Sequence, residues 1–433
     1  MRGRILDSRC CVLNTEVESI DLHRGFARFA GHGTKPLEIV RPTVPGRSGT
    51  SNYRGSDYNR RVILHVIRRN APVSRSDIAL VTGLTRAGVV TITKRLLKDG
   101  LILETGRIRR NRGAPAVRLG INPNGRFSIG LNVGCDHITV VVLDFLGNAR
   151  ARSSREIAFA QPEAVLRYFR RSVGPMLAKA GIERGQLAGV GIALPTKTAL
   201  TQLSGQPADY GVWNTVRIDD LIRNTLDIPV YVQSEAAAAA MGEMQFGLGH
   251  QYGSFFYILV AATLGGGLVV DGQHIVGASG RSGEFGCFPS GAPESQTPHL
   301  HRILSLSALY CRLSEGGFRV ASPLGLTRLG PRARDLIDLW ISDSAEALMS
   351  SLLAINCLIN PEAILVGGRL PPMLIDRLAA TLNERIAGLR LQWPGLAPIL
   401  RATLSDDAAA VGAAILAFSE QLLPKRYPLL KAL

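Results

Sequence analysis

The chain has 433 residues, 46% of them hydrophobic, and a formal net charge of +16, enough apolar material for two or three cores and too much for a globally disordered chain. The charge is uneven: residues 1–125 carry 23 Lys+Arg against 9 Asp+Glu, while the remainder carries 27 against 25. A basic excess confined to the N-terminal part is the electrostatic footprint of a phosphate-binding module joined to a nearly neutral body.

Residues 1–48 are punctuated by Arg, Gly and Pro without clear periodicity, and a disordered basic tail reaching to about residue 55 is expected. In Asn59–Asn70, Val62, Ile63, Val66 and Ile67 share one face, which predicts a helix. Ser74 stands before Asp77 as a capping pair, Ile78, Ala79 and Val81 follow as an apolar face, and Gly83-Leu84 supply a sharp turn. Thr85 then caps a second helix. There Val89, Ile92 and Leu96 form the inward stripe and Arg86, Ala87, Val90, Thr91 and Lys94 face outward, the arrangement of a helix-turn-helix whose second helix enters a major groove. The run Val89–Thr93 is β-branched and locally favours strand, but the cap, the spacing and the turn agree on a helix. Leu101–Glu104, a basic turn from Thr105 to Asn111, and Ala116–Leu119 read as strand, turn and strand, a wing whose Arg107, Arg109, Arg110 and Arg112 are too charged for a core and suit phosphates or a minor groove. The expected DNA-contacting set is therefore Ser74, Thr85, Arg86, Ala87, Val90, Thr91, Lys94, Arg107, Arg109, Arg110 and Arg112, in a winged helix-turn-helix domain over 56–122.

The rest alternates strands and helices. Phe127–Gly134 and Ile138–Phe145 form a hairpin, Pro162–Gly181 an amphipathic helix, Leu187–Leu194 a buried strand, Pro229–Val232 a short strand and Ser234–Gly242 an Ala-rich helix. Phe255–Thr263 and Leu268–Val270 read as a second hairpin with Gly265, Gly266 and Gly267 in its turn. Ser344–Asn360 is a helix, Ala363–Val366 a strand and Ala408–Phe418 a closing helix. That order is α/β in two lobes, 123–243 and 244–433, with the closing helix returning to the first lobe.

Cys10, Cys11, Cys135, Cys287, Cys311 and Cys357 show no paired spacing, so a disulfide framework is not expected. The N-terminus lacks the apolar core of a signal peptide, and the longest apolar run, Ser254–Val270, is interrupted by glycines, so a cytoplasmic protein with no membrane partner is expected.

Six stretches in order resemble the ROK family of sugar kinases and transcriptional repressors. Gly130–Asp136 is similar to its first phosphate loop, Trp213-Asn214 and Pro229–Glu235 to its sugar-site segment, and Ala262–Gly267 to its second phosphate loop. Gly283–Cys287 is similar to its Gly-Glu-x-Gly-His signature and Asp406–Ala414 to its C-terminal helix. The resemblance covers roughly residues 49–418 and, with the winged helix in front, implies the repressor branch and the actin-like, two-lobed sugar kinase (RNase H-like) fold. It implies a sugar or polyol effector held by Trp213, Asn214, Ser234, Glu235, Glu284 and Cys287.

The departures are as informative. The family's kinases place Asp where Asn132 and Glu235 stand, and a glycine where Thr263 stands. Asn lacks the charge that Mg²⁺ prefers, Glu is one methylene longer than the general base, and Thr263 obstructs the approach of a phosphate. No catalytic residue is therefore expected, and Glu235 occupies a degenerate base position. Zinc-bearing members use the His of the signature and a Cys-rich loop; here Cys287 takes the His position and Phe288–His299 contains no cysteine. His299 and His301 with Cys287 alone make an incomplete set, so no metal and no cofactor is expected. The implied reading is a repressor that binds a double-stranded operator as a homodimer or higher homo-oligomer; the alternative is an ATP-dependent ROK sugar kinase with an appended DNA-binding module.

Overall fold

The computed structural model describes residues 52–108, 116–196, 207–290, 299–389, 395–404 and 407–424. The expected N-terminal tail up to residue 51, Asp406, and Arg109, Arg110 and Arg112 of the wing lie outside the described residues.

Helix α1 (Asn52–Asn70) begins earlier than its apolar spacing suggested, and its Ile63, Leu64 and Ile67 are fully buried. The two-residue strand β1 (Val73–Ser74) leads into α2 (Arg75–Thr82), whose capping box joins Ser74 and Asp77 and whose end is Gly83 at φ 68°. Helix α3 (Arg86–Lys98) forms through the β-branched run, because Val89 and Leu96 are fully buried and the Thr91 and Thr93 hydroxyls donate back to carbonyls one turn earlier. The inward stripe differs from expectation. Thr93 is fully buried and accepts a hydrogen bond from Arg75 Nε at 3.0 Å, while Ile92 is only partly buried. Strands β2 (Ile102–Ile108) and β3 (Ala116–Ile121) close the wing in the order β1-β3-β2. Thr105, Gly106 and Arg107 belong to β2 and not to the turn, because ladder pairing continues to Ile108 opposite Ala116 after a register shift beside Gly106.

The first lobe contains β4 (Phe127–Val133), β5 (His137–Asp144), β6 (Ala149–Glu156), helix α4 (Pro162–Ala180), β7 (Leu187–Leu194), α5 (Ile218–Leu226), β8 (Val230–Ser234) and α6 (Glu235–Phe246). The second contains β9 (Phe255–Val260), β10 (Leu264–Val270), β11 (Gln273–His274), α7 (Leu306–Glu315), α8 (Pro323–Leu326), α9 (Pro331–Ile359), β12 (Ala363–Gly368), α10 (Pro372–Leu389), β13 (Ile399–Arg401) and α11 (Ala408–Gln421). The two sheets run β6-β5-β4-β7-β8 and β11-β10-β9-β12-β13, the same order twice, with an antiparallel hairpin followed by parallel strands. This repetition is the two-lobed actin-like architecture. The residue patterns read above leave out β6, α5, β11, α7, α8, α10, β13 and the first turns of α9, although α5 does place Ile218, Leu221 and Ile222 at helical spacing.

Gly265, Gly266 and Gly267 lie inside β10 and pair with β9; the turn is made by Ala261, Ala262 and Thr263. The reason is contact with α6: a Cβ at Gly265 would stand 2.8 Å from Ala236 Cβ, and one at Gly267 2.5 Å from Ala240 Cβ. On its other side α6 meets α11 just as closely, where a Cβ at Gly412 would fall 1.6 Å from the Ala238 carbonyl oxygen. Helix α11 in turn lies on β4 and β7, against Gly130 and Gly191. Small residues let these backbones approach, so the helix pair α6–α11 is walled in between the two sheets.

Candidate functional site

Thr85 is the exposed N-cap of α3 and accepts from the Gly88 amide at 3.2 Å. Arg86, Ala87, Thr91 and Lys94 are exposed on the same side, Val90 is half-buried, and Arg107 is exposed on β2. Ser74 is placed differently. Its side chain is buried and its hydroxyl donates to Asp77 Oδ2 at 2.7 Å, so its polar atoms serve the cap of α2. Two cations that the reading of the sequence passed over, Arg95 and Lys98, are exposed in the last turns of α3 and extend its basic face. Their helical spacing from Thr91 and Lys94 was the available signal.

In the cleft the expected residues separate into three places. Glu284 and Cys287 stay together: Glu284 Oε2 accepts from Thr196 Oγ1 at 3.1 Å, a hydrogen bond from the first lobe to the second, and Cys287 Sγ lies 3.8 Å from the same oxygen. Trp213 is half-buried against the first-lobe core and donates from Nε1 to the Ala160 carbonyl at 3.0 Å. It stands beside Tyr210, with ring centroids 6.5 Å apart, and Tyr210 packs edge-on to Phe159 at 5.1 Å. The side chain of Asn214 lies outside the described residues. Ser234 caps α6 by accepting from the Ala237 amide at 3.3 Å. Glu235, the first residue of α6, is buried beneath the loop that follows β4.

Around Glu235 the structure gathers a network that the sequence alone did not assemble. Asn132 Nδ2 lies 3.0 Å from His137 Nε2, and His137 Nδ1 lies 2.8 Å from Asp136 Oδ1. Arg369, immediately after the glycine pair that ends β12, reaches from the second lobe to both Asp136 and Glu156 of the first. Burial alone would raise the Asp136 carboxyl, but the Arg369 guanidinium and His137 overcome it and hold it well below the usual range. Burial lowers Arg369, while Asp136 and Glu156 more than restore it and hold it above its ordinary value. Burial pushes the Glu235 carboxyl up to about 8, with the Asp136 charge adding to it, which favours its protonated form. Cys135 packs on Ala262, so the stretches resembling the two phosphate loops touch each other across the lobes.

The histidines considered as metal ligands each make one hydrogen bond through a ring nitrogen. His299 Nδ1 donates to the Cys287 carbonyl at 2.8 Å, and His301 accepts from the Leu264 amide at 3.3 Å, its imidazole pushed down to about 4 by burial and then by neighbouring Arg302. Among the described residues no group of three His, Cys, Asp or Glu side chains is placed to hold a metal ion, and no helix is long and apolar enough to cross a membrane.

Residues 128–299 match the model of the ROK family, and residues 56–102 match a winged helix-turn-helix DNA-binding model. A protein of Sinorhizobium fredii is 29% identical over 83% of this chain and 90% of its own length. The xylose repressor of Caldicellulosiruptor bescii is 23% identical over 84% of this chain and 96% of itself. The DNA-binding transcriptional repressor Mlc of Escherichia coli is 23% identical over 72% and 81%. Among solved structures, a ROK family transcriptional regulator homologous to Mlc superposes with a TM-score of 0.63 at 21% identity, covering 84% of this chain and 96% of that one. A ROK family glucokinase from Streptomyces griseus, in complex with glucose and AMPPNP, superposes with a TM-score of 0.52 at 22% identity over 67% of this chain and 98% of its own.

Proposed function

Because this chain carries a ROK family domain behind a winged helix-turn-helix, we propose that it is a sequence-specific transcriptional repressor whose operator affinity is set by a sugar or polyol bound between the lobes. The observation that carries this reading is the contrast between an exposed basic recognition face and a closed phosphate region. Arg86, Thr91, Lys94, Arg95 and Lys98 meet water on α3, suited to phosphates and base edges. Where a kinase needs an open phosphate path and a carboxylate base, this chain has Cys135 packed on Ala262, Arg369 paired to Asp136, and a buried Glu235 beside Asn132 whose carboxyl is pushed up to about 8.

Thr196, Glu284 and Cys287, which meet between the lobes, are the proposed effector contacts. A hydroxyl-rich ligand competes for the Thr196–Glu284 hydrogen bond, and its preference for one lobe arrangement sets the limit of its effect on DNA affinity. A homodimer follows from the geometry of reading two half-sites about one DNA turn apart. The test is protection of DNA upstream of the chain's own gene at near-physiological salt, with and without a panel of sugars. Two protected half-sites altered by one sugar are expected. ATP-dependent phosphorylation of a sugar by the folded protein would establish the kinase instead.

A further inference from the structure

The winged helix is seated in the lobes, and α1 makes the seat. Arg61 donates to the Glu420 carbonyl at 2.8 Å and to that of Leu423 at 3.4 Å, at the end of α11. Seven residues later on the same face, Arg68 donates to the Gln245 side-chain oxygen, and its guanidinium carbon stands 5.4 Å from the Phe246 ring centroid and 5.9 Å from that of Phe145. The core of the winged helix, including Ile67, Leu96 and Ile102, runs without a break into Phe145, Phe418 and Leu423.

Arg68 forms no ion pair among the described residues, and its buried Nε has no hydrogen-bond partner. The groups nearest it in charge are basic: Arg69 of its own helix, His65 one turn earlier, and His250 beyond the end of α6. Burial first, then the Arg68 and Arg69 charges, push His65 down to about 3 and His250 to about 4, so both are neutral. The half-buried Arg68 guanidinium is held by two ring faces and one amide oxygen, with no carboxylate among the described residues beside it. The Arg68 contact is therefore specific in geometry and, among the described residues, carries no ion pair.

Gln245 and Phe246 are the last two residues of α6, and its first is Glu235 in the cleft network. Between them the helix is clamped by backbone-close contacts to β10 at Gly267 and to α11 at Gly412, which stiffen it along its length. We propose that α6 transmits the state of the cleft to the winged helix, and that Arg68 is the positioning residue that receives it. The proposal rests on the reading that the cleft controls DNA affinity, and it names how.

The experiment is amide hydrogen exchange over α1 and α3 in the full-length protein, with no DNA and no sugar. Glu235→Ala disturbs the cleft end of α6. With Arg68 present it is expected to change exchange in α1 by about threefold or more, and in Arg68→Ala or Arg68→Lys backgrounds to change it no further. The Lys variant keeps the charge and loses the flat stacking, and it separates loss of the seat from loss of folding; a melting curve on each variant confirms that the lobes remain intact. Exchange in α1 that ignores Glu235→Ala, or that responds equally with and without Arg68, overturns the proposal. Since neither operator nor effector enters, that failure leaves the repressor reading standing, and an absent footprint would leave this one standing.

Discussion

Helices α3 and α6 have nearly equal lengths, 13 and 12 residues, and opposite surroundings. Helix α3 buries one narrow stripe and leaves Arg86, Ala87, Thr91, Lys94, Arg95 and Lys98 in water. Helix α6 buries nine of its twelve residues, including both glutamates. A helix that acts on its surroundings through exposed side chains tolerates change at most positions. One that acts by fitting between two sheets tolerates almost none, and the polar groups buried with it are tuned by neighbours far away in the chain.

The largest expected effect is at the α6–α11 crossing. Gly412→Ala sets a methyl against the Ala238 backbone and should destabilise the protein by about 3 kcal/mol, whereas Thr91→Ala on α3 should change stability by less than about 0.5 kcal/mol. Denaturant melts of the two variants make the comparison directly, and similar losses would break it. Next is Arg369→Ala, which leaves Asp136 and Glu156 without their cation; a loss of about 3 kcal/mol, moderated by their partial exposure to solvent, is expected in the same melts.

Glu235 sharpens the contrast through pH. Its folded value of about 8 stands above the ordinary 4.5, so between those values the folded protein holds a proton that the unfolded chain has lost. Stability supplied by that proton is fully present below the ordinary value and is lost as pH rises, by at most about 1.4 kcal/mol per pH unit, levelling off above the folded value. Glu235→Gln should flatten this slope, so that melts at pH 5 and pH 8 differ less than in the parent protein; an unchanged slope would place the titration elsewhere. On α3 the expected effects on stability are smaller. Thr85→Ala removes a cap at a cost of about 1 kcal/mol. Lys94→Ala should leave the melt unmoved but weaken binding to all DNA sequences and lower the salt slope by about one, read from titrations at several salt concentrations.

The winged helix was legible in the residues because its signals are local: the Ser74–Asp77 capping box, Gly83 at the turn, and a 3.6-residue stripe. Even there, two assignments depended on contacts. Thr93 joined the buried stripe because Arg75 reaches it, and Ser74 left the exposed face because its hydroxyl is held by Asp77. In the lobes the order of elements was visible, and so was the importance of Asn132, Glu235, Glu284 and Cys287. Their arrangement was not. Trp213 packs against the first-lobe core beside Tyr210, Glu235 lies beneath a loop, and Arg369 closes on Asp136 across a separation of 233 residues.

By themselves, then, the residues determined a basic reading head joined to a two-lobed α/β body, because caps, turns, periodicity and charge segregation act over a few neighbours and are written consecutively. Only the tertiary structure decided that Gly265, Gly266 and Gly267 serve helix packing within a strand, that burial pushes the Glu235 carboxyl up, and that α1 is seated on the end of α6. Those outcomes depend on which backbones approach closely and which charges share a buried space, and both are set by elements that meet only when the chain is folded.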